Sequence, residues 1–318
     1  MFEDYLDIDY ILLYINLVMP PQTNDNLLFS RFCAMIKTLI QTEMRKSSMK
    51  LISFNAFRTI GIPGITYIKP ELMFREMDVI KQADVILFPE TWQVSTLVYG
   101  LNKSIFPSIE TLQIGADKIE MTRVLQGVVP QHVPYTEILS NTAANITKIL
   151  DTFPFPFVAK EVKSSMGQGV FLITDKQELL TYAQSNEVLY IQEYLPNDGQ
   201  DLRVCVVGDE VYAAYWRSGQ KGDFLHNIAQ GGEVHYTDIP NEAVQMVRQL
   251  AKRLHINHAG FDVLYSHHRY YILEFNVLFG NQGLSQQPYT VAQTIYQYLS
   301  RHNEPPFPTS PLPRKVIS

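Results

Sequence analysis

Two oxygen-bearing side chains, Glu274 and Asn276, interrupt an otherwise apolar stretch near the C-terminus. They are two residues apart, so on a β-strand both point to the same face. Asp262 lies in the preceding apolar stretch. If the turn between the stretches holds the three residues 267–269, Asp262 stands opposite Glu274 on that face, whereas a four-residue turn puts it on the other face.

Three oxygen ligands on one sheet face would suit magnesium. Magnesium takes one or two protein carboxylates together with substrate phosphates. From these residues alone, polar side chains on a solvated sheet face are an equally good interpretation.

A second pattern, FVAKEVKSSMGQGVFLI at 157–173, favours the metal interpretation. Lys160 ends a predicted strand, and the loop after it contains Gly167 and Gly169. Glycines let backbone N–H groups approach phosphate oxygens, and a lysine neutralises their charge. A G-x-G pair is also typical of an ordinary hairpin turn.

Two further stretches carry polar groups in suitable places. In YIQEYLPNDGQDLR an apolar strand ends at Gln192 and Glu193, where backbone groups could meet an adenine edge, and Asp201 could meet ribose hydroxyls. In YWRSGQKGDFLHNIAQGGE, Arg217 and Asn227 could steady a transferring phosphoryl group and its acceptor. Taken separately, the first stretch is more simply interpreted as a strand followed by a turn, and the second as a surface hairpin.

The elements around these residues alternate between strands and helices. Strands at LISFN, ITYIKP and ADVILFP, with a helix at WQVSTLVYGL, predict a half-Rossmann layer over about 49–100. Residues 111–127 predict one helix that ends at a glycine. From 157 onward, strands broken by glycine turns dominate, with Gly208 and Asp209 at a hairpin turn.

Composition excludes several classes of protein. The 318 residues contain 26 Lys and Arg against 32 Asp and Glu, a net charge of -6, which argues against a general nucleic-acid binder. The first 20 residues predict neither a signal peptide nor a membrane span. Cys33 and Cys205 form no framework, so we expect two free thiols in a reducing cytoplasm.

In chain order, these patterns resemble the ATP-grasp superfamily, and in particular its RimK-type, glutathione synthetase-like branch of carboxylate–amine ligases. The resemblance covers residues from about 103 to 300. It is carried by ADK at 116–118, FVAK, MGQGV, QEY, DLRVCVVGDEVYAAYWR, KGDFLHNIAQGG, AGFDVL and EFN. Several ordered motifs with compatible spacing are far more specific than any one of them.

The resemblance implies an α/β (α+β) ATP-grasp fold, in which a small N-terminal half-Rossmann domain precedes two α+β subdomains that clamp ATP. We expect an N-terminal extension at 1–48, a pre-ATP-grasp domain at 49–110, and an ATP-grasp domain at 111–303. The last divides into a central and lid subdomain, 111–195, and a C-terminal subdomain, 196–303, before a disordered proline-rich tail at 304–318. The extension is interpreted as an extra helix or strand packed on the first domain, and a second interpretation is that Met49 is the natural start.

The resemblance also implies roles for individual residues. The expected metal ligands are Asp262, Glu274 and Asn276, holding two magnesium ions for which manganese could substitute, and Arg217 is the expected catalytic residue. The residues expected to bind ATP are Lys118, Lys160, Gly167, Gly169, Gln192, Glu193, Tyr194, Asp201, Leu225, His226 and Asn227.

Family chemistry transfers the ATP γ-phosphoryl group to a carboxylate, and an amine then forms an amide. We expect the acid to be a small molecule, a peptide or a protein, and the amine to be an amino acid such as glutamate, with no nucleic acid or membrane as partner. The sequence leaves the oligomeric state open, a homo-oligomer included. The family commonly follows its metal-binding Asn with a small or polar residue, a proline and a glycine, whereas Val277, Leu278 and Phe279 stand here before Gly280.

That departure supports a second hypothesis, a non-catalytic ATP-binding sensor on the same fold, because the bulky residues could fill the substrate's space. The metal ligands, both lysines and Arg217 favour the enzyme. A kinase is disfavoured, because no catalytic-loop Asp followed by a metal-binding Asp-Phe-Gly is present.

Overall fold

The computed structural model describes residues 49–162, 169–218, 233–280, 284 and 287–302. The chain divides between Met49 and Lys50 into two units, and the second is described here. The predicted extension and tail, Cys33, Gly167, Leu225, His226 and Asn227 lie outside the described residues.

The first sheet is parallel and confirms the predicted half-Rossmann layer. Its strands are β1 (Leu51–Ser53), β2 (Ile65–Tyr67), β3 (Val85–Leu87) and β4 (Ser104–Phe106), in the order β2-β1-β3-β4. The sequence analysis missed β4, which is only three residues long and begins with the exposed Ser104. Its helices are α1 (Ala56–Thr59), α2 (Met77–Lys81) and α3 (Thr91–Ser95), which continues as a π-turn, Thr96–Gly100; a 3-10 turn spans Pro70–Leu72.

The remaining strands form two antiparallel sheets, which confirm the predicted fold class. They are β5 (Thr136–Ser140), β6 (Phe157–Lys160), β7 (Val170–Ile173), β8 (Val188–Glu193), β9 (Gln200–Val207), β10 (Glu210–Ser218), β11 (Glu233–His235), β12 (His258–Ser266) and β13 (Arg269–Asn276). The smaller sheet has the order β5-β8-β6-β7 and the larger sheet has the order β11-β10-β9-β12-β13. The predicted hairpin turn at Gly208 is present, with φ at +68°.

The helices of this region are α4 (Ile109–Ile114), α5 (Lys118–Val128), α6 (Ala143–Thr152), α7 (Lys176–Ser185), α8 (Asn241–Arg253) and α9 (Val291–His302), with a 3-10 turn at Pro130–His132. None of the helices in the described residues is both long and apolar enough to cross a membrane.

The prediction of one helix over 111–127 is wrong, because the chain breaks between α4 and α5. At Gly115 a Cβ atom would collide with Val277 and with the carbonyl oxygen of Thr111. Asp117 then caps α5, and its Oδ1 accepts a 2.8 Å hydrogen bond from the backbone N of Glu120. The sequence carries a signal for this second helix, because an Asp followed three residues later by a Glu is typical of a helix N-terminus.

One face of the larger sheet is apolar and fixes its register. Leu202, Val204, Phe261, Val263 and Phe275 are buried in a cluster with residues of α5 and α8. Each such side chain contributes roughly 1.5–3 kcal/mol when it is buried. A one-residue slip would turn all of them to the other face, so the alternate residues must form a separate, polar face.

His258 joins the parallel sheet to the larger sheet. Its ring stacks on Phe279 at 4.6 Å and meets Phe88 and Phe106 edge-on at 5.2 and 5.6 Å. Its Nδ1 donates a 2.6 Å hydrogen bond to the carbonyl oxygen of Val277. Burial lowers the pKa of His258 to about 4, against the hydrogen bond to Val277, which raises it.

This buried histidine predicts acid sensitivity. Folded His258 stays neutral down to about pH 4, whereas an unfolded histidine takes up its proton near pH 6.5. The contribution of neutral His258 to the free energy of unfolding is therefore fully present above pH 6.5. It is lost as the pH falls, by about 3 kcal/mol between pH 6.5 and pH 4. A His258→Asn variant should show a flatter fall in the free energy of unfolding, measured by urea titration from pH 7 to 4.5.

The control is His255→Asn, because this exposed residue has φ at +54°, which asparagine tolerates. The control should keep the slope of the parent protein. Parent and His258→Asn curves with the same slope would contradict the assignment.

Candidate active site

The polar face of the larger sheet brings the predicted residues together across four strands. Arg217 pairs with Asp201, Arg203 pairs with Asp262, and Asp262 pairs with Glu274. Residues that stand directly opposite in an antiparallel pair point to the same face. Asn276 lies one alternation beyond Glu274, so the three predicted metal ligands share this face.

The hairpin that aligns Asp262 with Glu274 differs from the predicted one. Its turn holds two residues, His267 and His268, both with positive φ, at 49° and 60°, so Ser266 pairs with Arg269. The three-residue turn assumed from the sequence is therefore wrong. The predicted pairing is nevertheless present, because the register shifts beyond Val263 and leaves one extra residue on β13.

The extra residue is Leu273, a β-bulge that changes which side chains face the site. Val263 pairs with Ile272, whereas the next residue, Asp262, pairs with Glu274. Ile272 is buried in the apolar cluster, and Glu274 lies on the opposite, polar face although it is only two residues away. In a regular strand the two would share a face, so the bulge re-aims Glu274.

Two carboxylates and two arginines form a chain of charges along this face. Arg217 donates from Nε to Asp201 Oδ1 at 2.9 Å and from Nη2 to Asp201 Oδ2, and Nη2 also donates to Asp262 Oδ1 at 2.8 Å. Arg203 Nε lies 2.9 Å from the same Asp262 oxygen, as a charge contact whose angle is not that of a hydrogen bond. Asn276 Nδ2 is 3.4 Å from Asp262 Oδ2.

Burial and the paired charges act in opposite directions on this face. It raises the pKa of Asp201 to about 6, although Arg217 acts in the opposite direction. For Arg217 burial acts to lower the pKa, but Asp262 and Asp201 outweigh it and the pKa is raised. Burial also raises the pKa of Cys205 to about 12, so this buried free thiol is not a nucleophile.

Two lysines face Glu274 from other elements. Lys118 is the first residue of α5, and Lys160 is the last residue of β6, only 6% exposed. Burial lowers the pKa of each, and Glu274 opposes that shift in both. The Nζ of Lys160 lies 5.6 Å from the centre of the Tyr190 ring. The predicted phosphate-binding lysines and the predicted metal ligand are therefore close enough to interact.

The predicted adenine-binding segment lies at the end of β8. Gln192 is buried, and its Nε2 donates to Thr136 Oγ1 at 2.9 Å. Glu193 exchanges two hydrogen bonds with Tyr135: its backbone N donates to the Tyr135 carbonyl at 2.9 Å, and its Oε1 accepts from the Tyr135 N at 2.7 Å. An adenine contact at this strand end would therefore use atoms other than the Glu193 backbone N and Oε1. Tyr194, also predicted to bind ATP, is the next residue.

Asp201 and Gly169 have local roles that the sequence did not suggest. Both Asp201 oxygens are engaged by Arg217, so Asp201 is a counter-ion, and its ribose contact stays a prediction. Gly169 has φ at +69°, and its carbonyl accepts a 2.7 Å hydrogen bond from the N of Glu161, which closes the loop after β6.

The donor set fits magnesium better than a metal held by protein alone. Within the part of the chain that the structure describes, no group of three or more His, Cys, Asp or Glu side chains could hold a metal ion. Asp262, Glu274 and the Asn276 amide supply a few hard oxygen donors on one face. Magnesium uses such a partial set and completes its coordination with phosphate oxygens and water.

The unusual residues after Asn276 differ in how deeply they are buried. Phe279 is buried against His258 and lies close to Gly260, where an added Cβ would be 2.9 Å from the Phe279 Cβ. Val277 is partly buried beside the apolar cluster, and Leu278 is half exposed. The Phe279 ring packs against His258, between the parallel sheet and the larger sheet. The expectation that these side chains fill a substrate site is therefore not supported for Phe279.

Comparisons with known proteins agree with these features. A family model described as a RimK-like ATP-grasp domain matches residues 116–299, more than half of the chain. A probable alpha-L-glutamate ligase of Haemophilus ducreyi is 30% identical over 186 residues, which are 55% of this chain and 60% of that protein. A ribosomal protein bS6–L-glutamate ligase of Escherichia fergusonii is 27% identical over 218 residues, 66% of this chain and 70% of that protein.

A solved structure has the same fold. The crystal structure of a RimK domain ATP-grasp protein from Sphaerobacter thermophilus matches with a TM-score of 0.59 at 15% identity, covering 78% of this chain and 98% of that chain. The match to the Haemophilus protein spans less than two thirds of that protein's length.

The charge chain predicts a non-additive mutational effect. Arg217→Met leaves two buried carboxylates with one fewer counter-ion and should lower the free energy of unfolding by about 3–5 kcal/mol. The double variant Asp201→Asn, Arg217→Met should cost less than the sum of the single changes, because it removes both charges of one pair. Urea unfolding at pH 7 measures these values.

Arg248 provides the matched control. It makes a 2.9 Å contact with Glu210 on the surface, where both side chains are about half exposed. Arg248→Met should cost no more than about 1 kcal/mol. Equal costs for Arg217→Met and Arg248→Met would contradict the buried charge chain.

Proposed function

The chain belongs to the RimK-like ATP-grasp family of carboxylate–amine ligases, and from that premise we propose that it forms an amide bond at the expense of ATP. The observation that carries the proposal is the convergence of three oxygen donors, Asp262, Glu274 and Asn276, on one sheet face near Lys118 and Lys160. Carboxylates beside cations suit a magnesium–phosphate substrate.

The proposed reaction has two steps. A carboxylate oxygen of the acid attacks the γ-phosphorus of ATP, the bond from that phosphorus to the β–γ bridging oxygen breaks, and ADP leaves. The nitrogen of the amine then attacks the acyl carbon of the acylphosphate. The carbon–oxygen bond breaks with its electron pair going to phosphate, and the nitrogen loses a proton as the amide forms.

The residues of the chain act by binding and alignment. Lys118 and Lys160 bind phosphate oxygens and neutralise their charge, which is the main requirement of phosphoryl transfer. Asp262, Glu274 and Asn276 would hold magnesium, which supplies further charge neutralisation between the phosphates. Burial of Lys160 strengthens its attraction for an anion, since water screens it weakly.

Arg217 is the proposed catalytic residue. Its Nε and Nη2 are fixed by Asp201 and Asp262, which holds the plane of the guanidinium. Its Nη1 makes no hydrogen bond to a residue that the structure describes, and this is the nitrogen we assign to the acylphosphate. A donor that is already oriented costs little reorganisation when charge develops.

The proposed substrates follow the relatives. The Escherichia fergusonii relative is named a ribosomal protein bS6–L-glutamate ligase. We propose that this chain likewise adds glutamate to the carboxylate of a peptide or protein acceptor, in the cytoplasm, with two magnesium ions. The ATP-binding segments at Gly167 and at Leu225, His226 and Asn227 remain part of this proposal, as do the predicted domain boundaries.

Substitution of Glu274 tests the proposal. Glu274→Gln keeps the shape of the side chain but removes the charge, and should lower magnesium-dependent, acceptor-dependent ADP release at least about 100-fold, equal to about 2.7 kcal/mol of transition-state stabilisation. The assay uses glutamate with a pool of short acidic peptides. The melting temperature is measured alongside, because Glu274 is also a counter-ion of Lys118 and Lys160, and ADP release is compared at a temperature at which both proteins are folded.

The control is Glu187→Gln, since Glu187 is exposed and precedes β8, at the opposite end of that strand from Gln192 and Glu193. ADP release that is unaffected by Glu274→Gln would overturn the site. Tight ATP binding without release in the unmodified protein, whatever the acceptor, would favour the non-catalytic sensor.

A further inference from the structure

A further cation, Arg58, lies at the edge of the parallel sheet where ligands bind in open α/β folds. The chain leaves β1 toward β2 on one side, and it leaves β3 toward β4 on the other. The crevice at the carboxyl ends of β1 and β3 is therefore the switch point of this sheet. Arg58 is in α1, which begins directly after β1, and the side chain of Asn55 caps this helix by accepting a 3.2 Å hydrogen bond from the Arg58 backbone N.

The guanidinium of Arg58 is half-buried. Its Nη1 donates a 2.5 Å hydrogen bond to the carbonyl oxygen of Phe279. Within the described residues, the ion pairs include none with Arg58. A guanidinium has five donors, so most of its capacity remains for a further partner. A half-buried charge without a counter-ion is unfavourable, and an anion would relieve that cost.

The hydrogen bond to Phe279 connects Arg58 to the proposed site. Phe279 follows the proposed metal ligand Asn276 by three residues, a stretch that can span at most about 11 Å. Arg58 therefore lies beside the segment that leaves the proposed metal site, where one end of an extended substrate would be expected to reach it.

We propose that Arg58 binds the free carboxylate of the amino-acid substrate, an inference that rests on the proposed ligase function. The acceptor carboxylate becomes part of the acylphosphate, to which Arg217 is already assigned, so Arg58 is left for a carboxylate that does not react. The amino acid keeps its α-carboxylate charge throughout. A planar fork with two parallel donors also matches a carboxylate.

Direct binding tests this assignment without relying on turnover. The protein is loaded with magnesium and a non-hydrolysable ATP analogue, and calorimetry measures the affinities for L-glutamate, its α-amide isoglutamine and its γ-amide glutamine. The parent should bind glutamate and glutamine about 10- to 100-fold more tightly than isoglutamine. Arg58→Gln should weaken glutamate binding to the level of isoglutamine and leave the affinity for the ATP analogue unchanged.

Two matched variants separate charge, shape and folding. Arg58→Lys keeps the charge but loses the planar fork, and should give an intermediate affinity. Arg75→Gln removes an exposed arginine of the same region and should bind glutamate like the parent. Melting temperatures close to the parent's show that the variants are folded.

Several results would overturn the inference. Equal loss of glutamate and ATP-analogue affinity in Arg58→Gln would mean that Arg58 only holds the loop at Phe279. Unchanged discrimination between glutamate and isoglutamine, or no glutamate binding by the parent, would exclude the assignment.

A second pair of ligands tests whether Arg58 binds the acceptor instead. The pair is a short peptide ending in glutamate and the C-terminal amide of the same peptide. If Arg58→Gln loses the preference between these two but still binds glutamate normally, the carboxylate belongs to the acceptor. Failure of the ligase proposal is distinct, because the parent would then release no ADP in response to any acceptor.

Discussion

The pairing of Asp262 with Glu274 is the constraint on which the site depends. The strand β13 must bury Ile272 and Phe275 and also present Glu274 to the opposite face, which a regular alternation cannot do. One extra residue, Leu273, resolves the conflict by changing the phase of the strand. Because the apolar face fixes the register at roughly 1.5–3 kcal/mol per buried side chain, the same packing that stabilises the sheet positions the proposed metal ligands.

The cations of the site are matched by carboxylates before any substrate binds. Arg203, Arg217, Lys118 and Lys160 stand against Asp201, Asp262, Glu274 and Glu161. Burial acts to discharge the lysines, and the carboxylate of Glu274 acts to keep them charged. Phosphates would add negative charge and magnesium positive charge, so the protein's own groups, already oriented, need little rearrangement.

The sequence predicted the chemistry better than the geometry that delivers it. Residue types and order identified the fold, whereas the shared face of Asp262 and Glu274 was predicted only for a three-residue turn and is present because the bulge compensates for a shorter one. The turn at His267 and His268 was missed, because such turns usually carry Asn-Gly, and Leu273 gives no signal of a bulge. The partnership of Asp201 with Arg217, and the position of Arg58 beside Phe279, join residues from separate elements that no local pattern links.

The most direct test of the account is the fate of an acceptor oxygen. Acidic peptides whose carboxylates carry oxygen-18 would be incubated with the protein, unlabelled glutamate, magnesium and ATP, and the inorganic phosphate analysed by mass spectrometry. Because the carboxylate attacks phosphorus and its oxygen leaves with the phosphate, the account predicts one oxygen-18 per phosphate released. Phosphate carrying only unlabelled oxygen, formed at the same rate with and without the peptides, would mean that water attacks ATP and would contradict the proposed ligase.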